Sequence, residues 1–160
     1  MKNKITLICS FLFFVSCEPD DICLSSTVDT PKLILGFYDL NSGNLKEVNN
    51  LKIQGKNSDE IYLYQTIDSI GIPLKNLEQL TIYSLTKDYN ESSTSSGNSD
   101  QLYINYNYNY SYISRACGFI TNYDLENLII EKDTSNWILN TEIIKTNISN
   151  EENIHVKIFH

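Results

Sequence analysis

Between Gln101 and Ser114 the chain reads QLYINYNYNYSYIS, a strict alternation of two residue types. Only an extended strand sorts side chains with a period of two; a helix, at 3.6 residues per turn, would scatter them around its surface. The alternation puts Leu102, Ile104, Tyr106, Tyr108, Tyr110 and Tyr112 on one face. Tyr103, Asn105, Asn107, Asn109, Ser111 and Ile113 fall on the other. The segment is one long strand, or a hairpin if Asn107 or Asn109 turns. The rest of the chain points the same way. One alanine, Ala116, occurs in 160 residues, while Ile, Asn, Tyr and Thr abound. Helix formers are scarce and β-branched and aromatic residues plentiful, which argues against a helical bundle.

Further strands follow from short apolar or alternating runs between turn signals. They are Lys32–Asp39, Leu45–Ile53 with Asn49-Asn50 as a possible break, Ile61–Gln65, Ser69–Leu74, Gln79–Thr86, Ala116–Ile120, Asn127–Glu131, Trp137–Ile143 and Ile154–Phe159. Pro73 marks an edge or a strand end, because proline cannot donate to a ladder. Asn41–Asn44, Gly55–Asp59 and Asp133–Asn136 supply turn residues. Lys87–Asp100 (KDYNESSTSSGNSD) is polar, Ser-rich and without an apolar face, and reads as a mobile loop over 87–100. About nine short strands at this spacing predict an all-β fold, an antiparallel β-sandwich of immunoglobulin or transthyretin-like type over 31–160.

The N-terminus has a different character. Met1–Lys4 is basic, Ile5–Val15 is an apolar run, and Ser16-Cys17 precedes the acidic Glu18–Asp21. Eleven apolar residues are too few to cross a bilayer, which needs about 20 in a helix, but they suit the core of a signal peptide. Phe14-Val15-Ser16-Cys17 resembles the lipobox of bacterial lipoproteins, in which the cysteine becomes the acylated N-terminus. The expectation is a signal peptide over 1–16, lipid (palmitate-type acyl chains) on Cys17, and a tether over 17–30. Attachment to the membrane then runs through that lipid, at about 0.8 kcal/mol per buried methylene. The compartment is the cell envelope, as an outer-membrane lipoprotein facing the periplasm or the surface.

Cysteine usage follows from export. Cys9 leaves with the signal peptide and Cys17 takes lipid, so Cys23 and Cys117 remain as a pair in an oxidising compartment. A Cys23–Cys117 disulfide is expected. Zinc is disfavoured, since the two cysteines lack C-x-x-C spacing. The charge excludes another class of partner. The full chain has 12 Lys+Arg and 20 Asp+Glu, and loss of two N-terminal lysines leaves 10 against 20. Nucleic acid is therefore not a partner, because phosphate neutralisation requires clustered basic residues.

No catalytic motif stands out. His155 and His160 lie five apart on a terminal strand and point to opposite faces, so no metal and no cofactor is expected. H-E-x-x-H, G-x-S-x-G and Gly-rich phosphate loops are missing from the sequence. Asp39, Asp59, Asp68, Asp88 and Asp133 sit at turns, as aspartates do. The tyrosine ladder at Tyr106, Tyr108 and Tyr110 is the candidate contact for glycan or partner, since aromatic faces and phenols suit sugars. The plainer alternative is a sheet face whose rings cover the core while their hydroxyls stay wet. Asp68-Ser69-Ile70 resembles a short O-glycosylation acceptor. Arg115, the single arginine, either bridges a buried carboxylate or carbonyls beside the disulfide or, more simply, is a solvent-facing cation.

Three stretches together are similar to a known family: Cys17–Cys23, Pro31–Asp39, and Tyr112–Phe119 with its Ser-Arg-Ala-Cys-Gly-Phe string. Leu85–Asp88 and His155–His160 fit as well. The chain resembles a Bacteroidota lipoprotein family of unknown function, domain-of-unknown-function family 6452. That resemblance implies an exported lipoprotein with the two-cysteine pattern and carries no activity or catalytic residue. The expected role is non-enzymatic: a binding or assembly module with envelope protein or glycan as partner. The alternative is an envelope hydrolase acting on glycan through carboxylates that converge in three dimensions.

Overall fold

A computed structural model describes residues 22–93 and 96–160. The predicted signal peptide, Cys17 and the acidic stretch after it lie outside the described residues. Among those described, the elements are ten strands and no helix: β1 (Leu33–Tyr38), β2 (Val48–Gly55), β3 (Ile61–Ile67), β4 (Ser69–Ile72), β5 (Leu80–Lys87), β6 (Asn98–Ser114), β7 (Gly118–Ile130), β8 (Asn140–Ile143), β9 (Asn147–Ile148) and β10 (Val156–Phe159).

The described residues fall into two compact units. The larger comprises Thr30–Tyr110 and Thr121–His160. It holds two sheets, a four-stranded one ordered β4-β1-β10-β8 and a six-stranded one ordered β3-β2-β5-β6-β7-β9. Leu33, Leu35 and Phe37 of β1, with Val156 and Ile158 of β10, meet Leu51, Ile53, Leu85, Leu102 and Ile104 from the other sheet in one core. The all-β sandwich read from the sequence is the fold. One pair departs from the antiparallel rule: β1 and β10 run parallel, with Leu35 opposite Val156 and Phe37 opposite Ile158. The smaller unit contains residues 22–29 and the segment Ser111–Ile120, where the end of β6 turns through 115–117 into β7, and the Cys23–Cys117 disulfide ties its two segments.

Several boundaries move. The alternating segment is one uninterrupted strand of 17 residues, with no turn at Asn107 or Asn109. Strands invade both ends of the predicted loop over 87–100: Lys87 pairs with Asn98, Thr86 with Ser99, Leu85 with Asp100. Ser99 there lies on the outward face, bonding Ser84 across the strand pair, while Asp100 turns inward and is buried. The two strands expected at 116–120 and 127–131 are one, β7, because Thr121, Tyr123 and Leu125 carry the inward alternation across the polar Asp124. Trp137 and Ile138 precede β8 rather than opening it. The indole donates to the carbonyl of Leu85 at 3.0 Å, and the Ile138 N–H donates to Asp100 at 2.8 Å. Pro73 ends β4 as expected.

Candidate functional site

Tyr106 is fully buried, so it cannot touch a glycan or a partner. Tyr108 is half-buried against the core and only Tyr110 of the three is exposed. The ladder thus runs from core to surface along β6, and its aromatic face is not one platform. The hydroxyls of Tyr106 and Tyr110 are engaged with backbone. Pro73–Asn76 crosses from the four-stranded to the six-stranded sheet, and its backbone polar groups require partners where they are shielded from water. Tyrosines supply them. Tyr83 donates to the Pro73 carbonyl at 2.7 Å and Tyr123 to the Leu74 carbonyl at 3.1 Å. The Tyr106 hydroxyl accepts from the Lys75 N–H at 3.0 Å and lies 3.1 Å from the Lys75 carbonyl and 2.6 Å from the Thr81 hydroxyl. Tyr110 donates to the Asn76 carbonyl at 3.0 Å. The Tyr106 and Tyr123 rings pack edge to face, centroids 5.3 Å apart. Burial pushes the Tyr123 phenol up to about 12 and raises that of Tyr106. These phenols clasp the crossover as neutral groups.

An open groove with aromatic and polar lining lies elsewhere. In β2, Asn50 takes a left-handed φ of 45°. The Asn49 and Asn50 carbonyls accept the N–H groups of Asp88 and Tyr89 at 3.1 and 2.9 Å. The chain after β5 is thereby held against β2, and β3, the edge strand, borders the same groove. The resulting groove of about 690 Å³ is lined by Asn50, Tyr64, Gln65, Asp88, Tyr89 and Glu91, among others. The Lys52 ammonium sits 4.7 Å from the Tyr89 ring centroid and helps fix that ring. Two phenols, three amides and two carboxylates offer rings for the C–H face of a sugar and hydrogen-bond partners for its hydroxyls. The sequence reading missed this groove, because it depends on the φ of Asn50 and on residues assigned to a featureless loop.

Both histidines are buried. His155 Nδ1 accepts the Ile34 N–H at 3.1 Å, joining β1 to the approach of β10. His160 stacks edge-on against Phe37 and Trp137. Burial holds both imidazoles below their usual range. The neutral form is thus favoured in the fold, while the unfolded chain takes up protons near pH 6.5. Their stabilisation is complete above that pH and is lost as the pH falls below it. A protonated His155 would also turn its acceptor into a donor facing the Ile34 N–H. The urea midpoint is expected to fall between pH 7 and pH 5. His155→Asn, which keeps an acceptor, removes part of that fall in the same titration.

Of the remaining predicted sites, Ser69 is half-buried with its hydroxyl donating to Asp68 at 2.9 Å. Asp39 accepts the N–H groups of Asn41 and Ser42, and those bonds with Lys46 hold its carboxyl down at about 2, a structural turn. Arg115 is exposed. Asp100 is buried; burial raises its pKa, and one oxygen takes the Ile138 N–H. Among the described residues no three His, Cys, Asp or Glu side chains group as metal ligands.

In the smaller unit, Cys23 and Cys117 are bonded, Cα atoms 4.9 Å apart, as the cysteine count required. The turn that presents Cys117 is closed by its N–H donating to the Ser114 hydroxyl at 3.0 Å. Gly118 follows at φ 71°, a left-handed conformation that suits glycine.

No curated protein and no solved structure matches the chain. Residues 50–160 match a family whose description is Family of unknown function (DUF6452). The Tyr112–Phe119 string, Leu85–Asp88 and His155–His160 fall inside that span; the segments at 17–23 and 31–39 fall before it. With more than half its length inside the match, the chain belongs to this family of unknown function, DUF6452.

Proposed function

We propose that the chain is a non-enzymatic binding or assembly module of the cell envelope, held by lipid on Cys17. It would be an outer-membrane lipoprotein facing the periplasm or the surface. The observation that carries this reading is the Cys23–Cys117 disulfide, which requires an oxidising compartment and begins six residues after the lipobox cysteine. The binding surface is the groove of Tyr64 and Tyr89, and its ligand is a glycan or glycan-bearing envelope component. Envelope fractionation tests the anchor. The wild type should stay with carbonate-washed membranes, and Cys17→Ala should move to the soluble fraction; identical behaviour of the two opposes the anchor. Retention on envelope polysaccharide tests the groove. It should fall about tenfold or more in Tyr64→Ala/Tyr89→Ala, a loss of roughly 1–3 kcal/mol per ring by analogy with aromatic stacking.

A second reading has one observation in its favour. Asp88 and Glu91 line the same groove, and a glycan hydrolase needs two carboxylates flanking its bond. Release of reducing ends by the wild type, abolished in Asp88→Asn/Glu91→Gln with binding retained, would replace the binding module by an enzyme.

A further inference from the structure

The smaller unit presents large apolar side chains that stay exposed among the described residues. Phe119 is 64% exposed and Tyr112 57%, and their rings meet edge to face with centroids 5.2 Å apart. Ile22 and Leu24, which flank Cys23, are 75% and 66% exposed. Large side chains in such density mark an interaction surface. The disulfide fixes their company, because Cys117 is two residues from Phe119 and is bonded to Cys23.

We propose that this disulfide-tied tip is seated in the interfacial layer of the bilayer, with Phe119 and Tyr112 as its anchors; the proposal rests on Cys17 being the lipid-bearing residue. The occupant follows from chain length. Five residues lie between Cys17 and Cys23, and even fully extended that six-residue step reaches on the order of 20 Å. The bridge passes that limit to Cys117, so the tip stays close to the acyl chains. A phenol such as that of Tyr112, with one wet end and an apolar body, is favoured at that depth, and the Phe119 ring adds apolar area of the kind interfacial segments bury. The Glu18–Asp21 acids beside the anchor disfavour an anionic surface, so the matching bilayer is zwitterionic. The disulfide thus acquires a second role, orienting the tip on the membrane as well as closing a loop.

The test separates this seating from acylation in the cell. The chain from Cys17 onward, disulfide intact, is coupled through its free Cys17 thiol to a maleimide lipid in phosphatidylcholine vesicles. Phe119→Trp supplies the probe, and the buried Trp137 the background. Nitroxide lipids labelled near the headgroup should quench the introduced emission about twofold, and Cys23→Ser/Cys117→Ser should lose most of that quenching while remaining tethered. Unchanged emission on tethered vesicles overturns the proposal. So does a spectral shift that grows with protein concentration in lipid-free solution, which would make a second copy the occupant. Because the lipid is attached chemically, absence of acylation in cells would refute the anchor of the proposed function through a different readout.

Discussion

Tyr106→Ala is expected to lower the unfolding free energy by about 3–5 kcal/mol, whereas Tyr112→Ala, on the same strand and the same alternation, changes it by less than about 0.5 kcal/mol. The two positions look alike in sequence and differ in surroundings. Tyr106 is fully buried and packs against Tyr123, while Tyr112 is largely exposed. Removing the Tyr106 ring leaves a cavity between the sheets and strips the Lys75 backbone of a partner. Tyr106→Phe separates the two contributions. It keeps the ring but leaves the Lys75 carbonyl without its phenol; the Lys75 N–H retains the Thr81 hydroxyl at 3.1 Å. That variant should cost about 1–3 kcal/mol, the penalty of a buried polar group left unpaired. Urea denaturation of the four proteins at pH 7.5, above the histidine transition, measures all of this. Equal effects at Tyr106 and Tyr112 would show that the ladder is a uniform surface and that the tyrosine clasp does not hold the crossover.

The disulfide gives the second large effect. Its ends are 94 positions apart, and the chain-entropy treatment assigns a loop of that size about 4–5 kcal/mol. The folded chain has freedom to lose as well. Cys23 is joined to the sandwich at Thr30 by only a short run of residues, most of them exposed. Closing the bridge in the folded state therefore restrains a tether of roughly seven residues, at a cost that offsets part of the gain in the unfolded state. Loop closure grows only with the logarithm of length, so the difference is about 2 kcal/mol. Cys23→Ser/Cys117→Ser should lower the urea midpoint by that amount. Limited proteolysis should then cut within residues 22–29 first and leave the sandwich intact. A loss near the full 4–5 kcal/mol would mean that the tether is ordered without its bridge.

Period-two patterning was enough to place β6, because burial on one face writes itself into alternate residues. It was also enough for β1, β5 and β10, whose apolar runs fill the core. It failed where polar residues lie on the outward face of a strand. Ser99 and Lys87 read as loop and are paired strand; Asn122 and Asp124 fell between two predicted strands and lie within β7. The cysteine pair was legible because arithmetic left no other partner. The tyrosines were legible as a set and misleading one by one. Whether a phenol is core, clasp or surface depends on where the crossover at Pro73–Asn76 passes, and that is a property of the fold. The groove was invisible in advance, since it needs Asn50 in a left-handed conformation and Asp88 and Tyr89 docked on it.

Metabolic labelling with a traceable fatty acid, followed by mass analysis of the mature N-terminal peptide, probes the membrane anchor most directly. The predicted result is a chain that starts at Cys17 and carries the label on that residue alone. A chain that keeps Met1, or one that starts elsewhere and remains unlabelled, would contradict the envelope reading and remove the basis for seating the hairpin tip in the bilayer.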